Sequence, residues 1–130
     1  MRSEAFIIAG KPVPKGSRTN GFTKDGRSYS REANKHVGPW MKLAKEELRS
    51  QASGSVLLPP YEIDVRFYFL PPKVPSWPRT GDLDKFARAV LDALTQAEII
   101  EDDRHVVKLS AVKLYGSVPR TEVTVSELPS

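Results

Sequence analysis

Asp82-Leu83-Asp84 and, nineteen residues beyond Asp84, Asp103 within Glu101-Asp102-Asp103 are the residues best suited to do chemistry in this chain. The protein is otherwise basic, with a net charge of +4. Carboxylates gathered on a cationic protein repel one another, so their concentration needs a cause. A bound divalent cation is one cause. Asp82 and Asp84 are two residues apart, and on an extended entry segment both side chains point the same way. Three converging carboxylates would suit Mg²⁺, with Mn²⁺ also possible, since such hard cations take oxygen ligands and keep waters for exchange. A metal so placed activates a water nucleophile and offsets charge building on a phosphate. Asp at a helix N-terminus is also favoured by capping and by the helix dipole, so spacing alone leaves both explanations standing.

The elements that must position these acids can be read from the apolar pattern. Leu83, Phe86, Ala87, Val90, Leu91, Leu94 and Ala97 recur at helical spacing, predicting a helix from about Leu83 or Asp84 to Ala97. Asp84, Arg88 and Asp92 then form a polar strip at i, i+4 and i+8 along one edge of it. Val106 to Leu114 reads as the strand that would return one of the acids 101–103 to the start of this helix. Thr121 to Val125 reads as a last strand, with Gly116-Ser117-Val118-Pro119 expected to join the two as a hairpin. Upstream, Glu4 to Ala9 is a short strand, and Tyr61 to Phe69 alternates apolar and polar as a half-buried strand does. Roughly Glu32 to Ala52 is a first helix with Val37, Trp40, Met41, Ala44 and Leu48 as its stripe. Because Pro39 is tolerated only in a first turn, its regular part is expected to begin near Gly38. Pro71 to Pro78 is a surface loop leading to Arg79 and Asp82. The order implies one α/β (α+β-like) domain over residues 1–130: a mixed or largely antiparallel sheet of about four strands with two helices.

Composition narrows the function classes. At 130 residues the chain can bury one modest core. It has no Cys, which excludes disulfides, thiolate nucleophiles and Cys-based metal sites. No apolar run approaches the length of a membrane span, and the expectation is a cytoplasmic protein with no membrane partner and no small-molecule cofactor. Charge is unevenly spread. Residues 1–50 hold eleven Lys and Arg against five Asp and Glu, whereas residues 51–130 hold nine against eleven. The first part therefore suits a polyanion, and nucleic acid is the natural candidate. A basic arm or ribbon over residues 11–31, turning at Asp25-Gly26, carries Lys15, Arg18, Lys24, Arg27 and Arg31. With too few apolar residues to be core, these are candidate contacts to a DNA backbone. Arg79 and Lys85, flanking the acids, join them.

The run Asp82-Leu83-Asp84-Lys85-Phe86-Ala87-Arg88-Ala89-Val90-Leu91-Asp92-Ala93-Leu94, followed by Ile100-Glu101-Asp102-Asp103-Arg104-His105-Val106-Val107, resembles the RusA family of Holliday-junction resolvases. That family opens a helix with D-L-D-N, continues with D-A-L-x-x-A, and later has an acid pair followed by V-V. The resemblance implies a Mg²⁺-dependent endonuclease that acts on four-way or branched DNA as a homodimer, of a kind found in phages and prophages. It implies catalytic metal ligands at Asp82, Asp84 and Asp103, and an important basic residue at Arg88. Two positions depart from the pattern. Lys85 stands where the family often has Asn, and Arg88 where its best-known member has Lys. A guanidinium stays charged, so Arg88 is expected to act electrostatically on a phosphate rather than as a proton donor.

The remaining candidates have ordinary explanations beside the functional ones. Phe22 and Tyr29 could stack on an unpaired base or simply anchor the ribbon. Trp77 and Arg79 could touch DNA or a partner subunit, or pack the loop. His36 and His105 are the two histidines, and a histidine metal site would want more ligands close together; His105, near Asp103, could support that acid from behind or be a plain strand residue. Asp92 is expected either to orient Arg88 or to be solvated.

Overall fold

The computed structural model describes every residue except 1, 17, 23–27, 33, 75, 80 and 130, and describes the backbone alone at 18–22 and 28–32. Its elements are β1 (Ser3–Ala9), β2 (Arg18–Phe22), β3 (Ser28–Glu32), α1 (Val37–Gln51), β4 (Tyr61–Phe69), α2 (Leu83–Gln96), β5 (Val106–Tyr115) and β6 (Arg120–Glu127). A 3-10 turn at Asp103–His105 leads into β5. α1 begins at Val37, which leaves Pro39 in the first turn, where a missing N–H costs nothing.

Four strands form a mixed sheet in the order β1-β6-β4-β5. β6 runs antiparallel to both β1 and β4, while β4 and β5 are parallel. β4, α2 and β5 thus make a strand–helix–parallel strand unit, and α2 is its crossover. β4 alternates strictly: Tyr61, Ile63, Val65, Phe67 and Phe69 are buried, and the residues between them are wetter. The buried set meets Val37, Trp40, Ala44 and Leu48 of α1 and Phe86, Ala89, Val90, Ala93 and Leu94 of α2 in one core. Phe86 anchors the start of α2, its ring 5.4 Å from those of both Phe67 and Phe69.

One expectation is corrected. Residues 116–119 do not close a hairpin, because β4 lies between β5 and β6. Instead the Gly116 N–H donates to the Phe69 carbonyl at 2.9 Å, and the link passes over the end of β4 before Arg120 pairs with Tyr68. Turn composition and alternation are the same for a hairpin as for a hop over one strand, so the sequence pattern carries no sign of the difference.

β2 and β3 form a separate antiparallel ribbon with Arg18 opposite Glu32 and Thr19 opposite Arg31. The expected turn at Asp25-Gly26, with Lys24 and Arg27, lies outside the described residues.

Candidate active site at the start of α2

α2 is entered through Gly81, whose φ of +74° is open to glycine at little cost. A Cβ here would sit 2.7 Å from the Phe86 ring, so the same glycine lets the chain pass close over the aromatic anchor. Lys113 of β5 donates from Nζ to the Gly81 carbonyl at 2.8 Å. The turn into the helix is thereby tied to the neighbouring strand.

Asp82 follows in extended conformation and occupies the N-cap position. Its carbonyl accepts from Lys85 and Phe86, at 3.0 and 3.2 Å, but its carboxylate caps nothing. That side chain is 70% exposed and is approached by the Lys85 ammonium at 3.7 Å. Capping therefore does not account for Asp82. Asp84 in the first turn is exposed, well placed against the positive end of the helix dipole. Arg88, one turn on, is exposed too, and neither it nor Asp84 has an ion-pair partner among the described residues.

The strip's last acid is engaged differently from expectation. Asp92 neither orients Arg88 nor stands free in water; it receives the Lys15 ammonium at 2.7 Å, and both side chains are about three-quarters covered. Lys15 is further fixed by its N–H, which donates to the Lys85 carbonyl at 3.1 Å. Asn34 Nδ2 donates to the Pro14 carbonyl at 2.9 Å, so both roots of the ribbon are pinned near one another. The basic ribbon is thus launched from beside the first turns of α2.

Asp102 and Asp103 lie at the entrance to β5. The Arg104 N–H donates to the Asp102 carboxylate at 3.0 Å and, with Asp103, holds it below its ordinary value. Asp103 moves the other way: a hydrogen bond with Asp102 raises it, as do partial loss of solvent and the charges of Asp102 and Asp92. Asp103 is therefore brought toward Asp92, which lies about 12 Å along the helix from Asp84. Among the described residues no group of three or more His, Asp or Glu side chains is close enough to hold a metal ion. The expected convergence of Asp82, Asp84 and Asp103 is not formed. His105 lies 3.7 Å from Glu101.

By donor chemistry the acids still fit a hard divalent cation. They offer exposed carboxylate oxygens, and Asp103 sits in a surplus of negative charge that a cation would relieve. Lys113 is the residue that sequence reasoning missed. It reads as one polar residue of the strand that follows the acids, and only the parallel pairing of β5 with β4 puts it beside Gly81.

The model of the endodeoxyribonuclease RusA family matches residues 9–126, from the end of β1 to β6, with all the candidate acids inside the match. The chain belongs to the RusA family. Membership supports a nuclease. The chain is also similar to the uncharacterized protein YqaN of Bacillus subtilis (strain 168), at 29% identity with 95% of each chain covered. No described helix of this RusA-family protein is long and apolar enough to cross a membrane.

Proposed function

We propose that the chain is a homodimeric, divalent-metal-dependent endonuclease that resolves four-way and related branched DNA by paired phosphodiester hydrolysis. The observation that carries the reading is Asp82, an acid in the capping position that does not cap and presents its carboxylate to solvent at the head of a family motif. Asp82 and Asp84 would hold the cation, Mg²⁺ or Mn²⁺, and Asp103 would join them once brought from the entrance of β5 to the start of α2, an arrangement the single chain does not form among its described residues. When bound, the metal supplies an activated water and offsets charge on the reacting phosphate.

The chain's own residues do the rest. Gly81 and Lys113 hold the approach to Asp82 in one conformation. Arg88, on the same edge of α2 as Asp84, provides a permanent positive charge for a phosphate. Lys85 and Arg79 flank the acids, and Arg18 and Arg31 lie on a ribbon rooted beside them, with Lys24 and Arg27 between its strands in the sequence. The Lys15 ammonium neutralises Asp92, which keeps the negative surplus near Asp103 from growing. A two-fold junction requires two nicks, hence two symmetry-related copies of the site.

The test is cleavage of a synthetic four-way junction. Wild type should nick symmetrically with Mg²⁺ or Mn²⁺ and not with a chelator. Asp82→Asn should lose at least about a hundredfold in rate while keeping salt-sensitive binding. Undiminished nicking by the variant sinks the proposal. A second reading, a branched-DNA-binding module without catalysis, is favoured by the acids' failure to gather in threes. Binding without metal-stimulated nicking by wild type would select it.

A further inference from the structure

Between β4 and α2 the chain runs through Leu70 to Gly81, a segment with four prolines, two cations (Lys73 and Arg79) and no acid. Three of its large apolar side chains stand in water: Leu70 is 59% exposed, Val74 76% and Trp77 70%. Scattered exposed apolar residues are normal, but three on one loop beside a reactive motif mark a contact surface. Prolines leave a chain fewer unfolded alternatives, which lowers the entropy lost when such a segment binds.

The loop and the ends of β4 and β5 enclose an open cleft of about 190 Å³, walled by Phe69, Pro78, Trp77, Arg79, Ser76 and Tyr115. The Arg79 guanidinium lies over the Trp77 ring, 5.2 Å from its centroid. Indole and guanidinium are both planar surfaces on which a heterocycle stacks. At the other side the Ser76 hydroxyl and the Tyr115 phenol lie 3.5 Å apart, two groups able to donate or accept at the edge of a ring. A cavity of roughly 150 Å³ holds benzene, so this cleft has room for one flat ring of similar or slightly larger size.

We propose that this cleft is a nucleobase site that takes one unstacked base of the bound DNA, next to the acids at the start of α2. The inference rests on the branched-DNA reading above. Charge argues for a nucleic-acid occupant, since the loop offers only cations to an approaching surface. Location argues for a base near the scissile phosphate, since Arg79 is three residues from Asp82. A base inside a duplex has both faces covered, so the occupant is one swung out at the branch point. Stacking gives the contact, while Ser76 and Tyr115 read the edge.

The experiment uses the whole chain carrying Asp82→Asn, expected to bind without cutting, and four-way junctions carrying one abasic residue at each position around the crossover in turn. At one position the abasic residue should weaken binding about tenfold. In Asp82→Asn/Trp77→Ala the intact junction should bind that much more weakly, and the same abasic residue should add no further loss. Equal losses from Trp77→Ala on intact and abasic junctions at every position would overturn the base site, as would unchanged binding by the Trp77→Ala form. So would a change in sedimentation with no change in junction binding, which would assign the loop to a protein contact. An independent optical readout comes from Trp40→Phe, which leaves Trp77 as the single tryptophan. The Trp40 indole N–H is buried with no hydrogen-bond partner, so Phe gives up no polar contact. Intact junction should quench Trp77 fluorescence, and the junction abasic at the sensitive position should not. Absence of junction binding by Asp82→Asn would instead overturn the branched-DNA reading itself, an outcome separate from all the others.

Discussion

Lys113 reaches from the edge strand β5 to the carbonyl of Gly81, one residue before the acid that opens α2. The contact is an ion–dipole hydrogen bond that fixes a peptide unit, and through it the direction in which Asp82 leaves the turn. Lys113→Met is therefore expected to lower metal-dependent nicking by about tenfold and to raise the Mg²⁺ concentration needed for half-maximal rate. Lys113→Arg, which keeps a charged donor, should recover most of the loss. A Mg²⁺ titration of initial rates checks this, since a purely structural role would move stability and leave the Mg²⁺ midpoint in place.

Gly81→Ala should fail more severely. The added methyl lies 2.7 Å from the Phe86 ring, in a backbone conformation that alanine disfavours. Two penalties of this kind come to about 2–3 kcal/mol. A urea melt of wild type and variant measures the difference, and nicking should fall along with stability because Asp82 is displaced.

Lys15 and Asp92 are separated by 77 residues in the chain yet meet at 2.7 Å with most of each side chain covered. Lys15→Met leaves Asp92 without its cation, within reach of the charge of Asp103. The expected cost is about 1 kcal/mol of stability, with weaker binding to DNA as well. In Lys15→Met/Asp92→Asn the stability should return while the DNA affinity does not, because only the first function of Lys15 is internal. Chemical denaturation and a gel-shift titration at fixed salt separate the two effects.

Much of this architecture was legible. The alternation of Tyr61 to Phe69 and the 3.6-residue repeat from Leu83 to Leu94 fall within a residue or two of β4 and α2, since burial of one face dictates both patterns. Pro39 fixed the start of α1 for a steric reason as local as the residue itself. What was not legible depends on which strands become neighbours. The insertion of β4 between β5 and β6 is invisible in turn chemistry, and Lys113 gains its place only through that order. The acids show the same division. Their grouping on and after α2 could be read from spacing, but the approach of Asp103 toward Asp92 depends on how the 3-10 turn enters β5.

The end of α2 carries a strain that a single substitution should release. Ile99 N–H donates to Leu94 and Glu98 N–H to Thr95, at 2.9 and 3.1 Å, the pair of bonds that closes a helix around a left-handed residue. That residue is Glu98, with φ of +63°, where glycine is usual. Glu98→Gly should stabilise the fold by about 1 kcal/mol, after the entropy that glycine adds to the unfolded chain is subtracted. A thermal melt should move up by about 4 °C. An unchanged or lower midpoint would mean that the glutamate side chain contributes more than its backbone costs.

Glu127 sets the acid limb of stability. Its carboxylate accepts from the Leu58 N–H at 2.7 Å and from Arg2 through both backbone and guanidinium, at 3.2 and 3.1 Å, with only 17% of the side chain exposed. It thereby clasps the start of β1 and the loop before β4 to the end of β6. The Leu58 N–H above all, with Arg2 adding, holds the carboxyl below its ordinary value of 4.5. The unfolded chain then takes up the proton more readily than the folded one, so the stabilisation is fully present above about pH 4.5 and is lost as the pH falls through the lower folded value. Glu127→Gln keeps the shape and one acceptor but no charge. It should be less stable than wild type at pH 7, and the gap should close on acidification below pH 4.5. Urea melts at pH 7, 5, 4 and 3 decide it: a gap that stays constant across that range would show that the clasp works through shape and neutral hydrogen bonding, with no contribution from the charge.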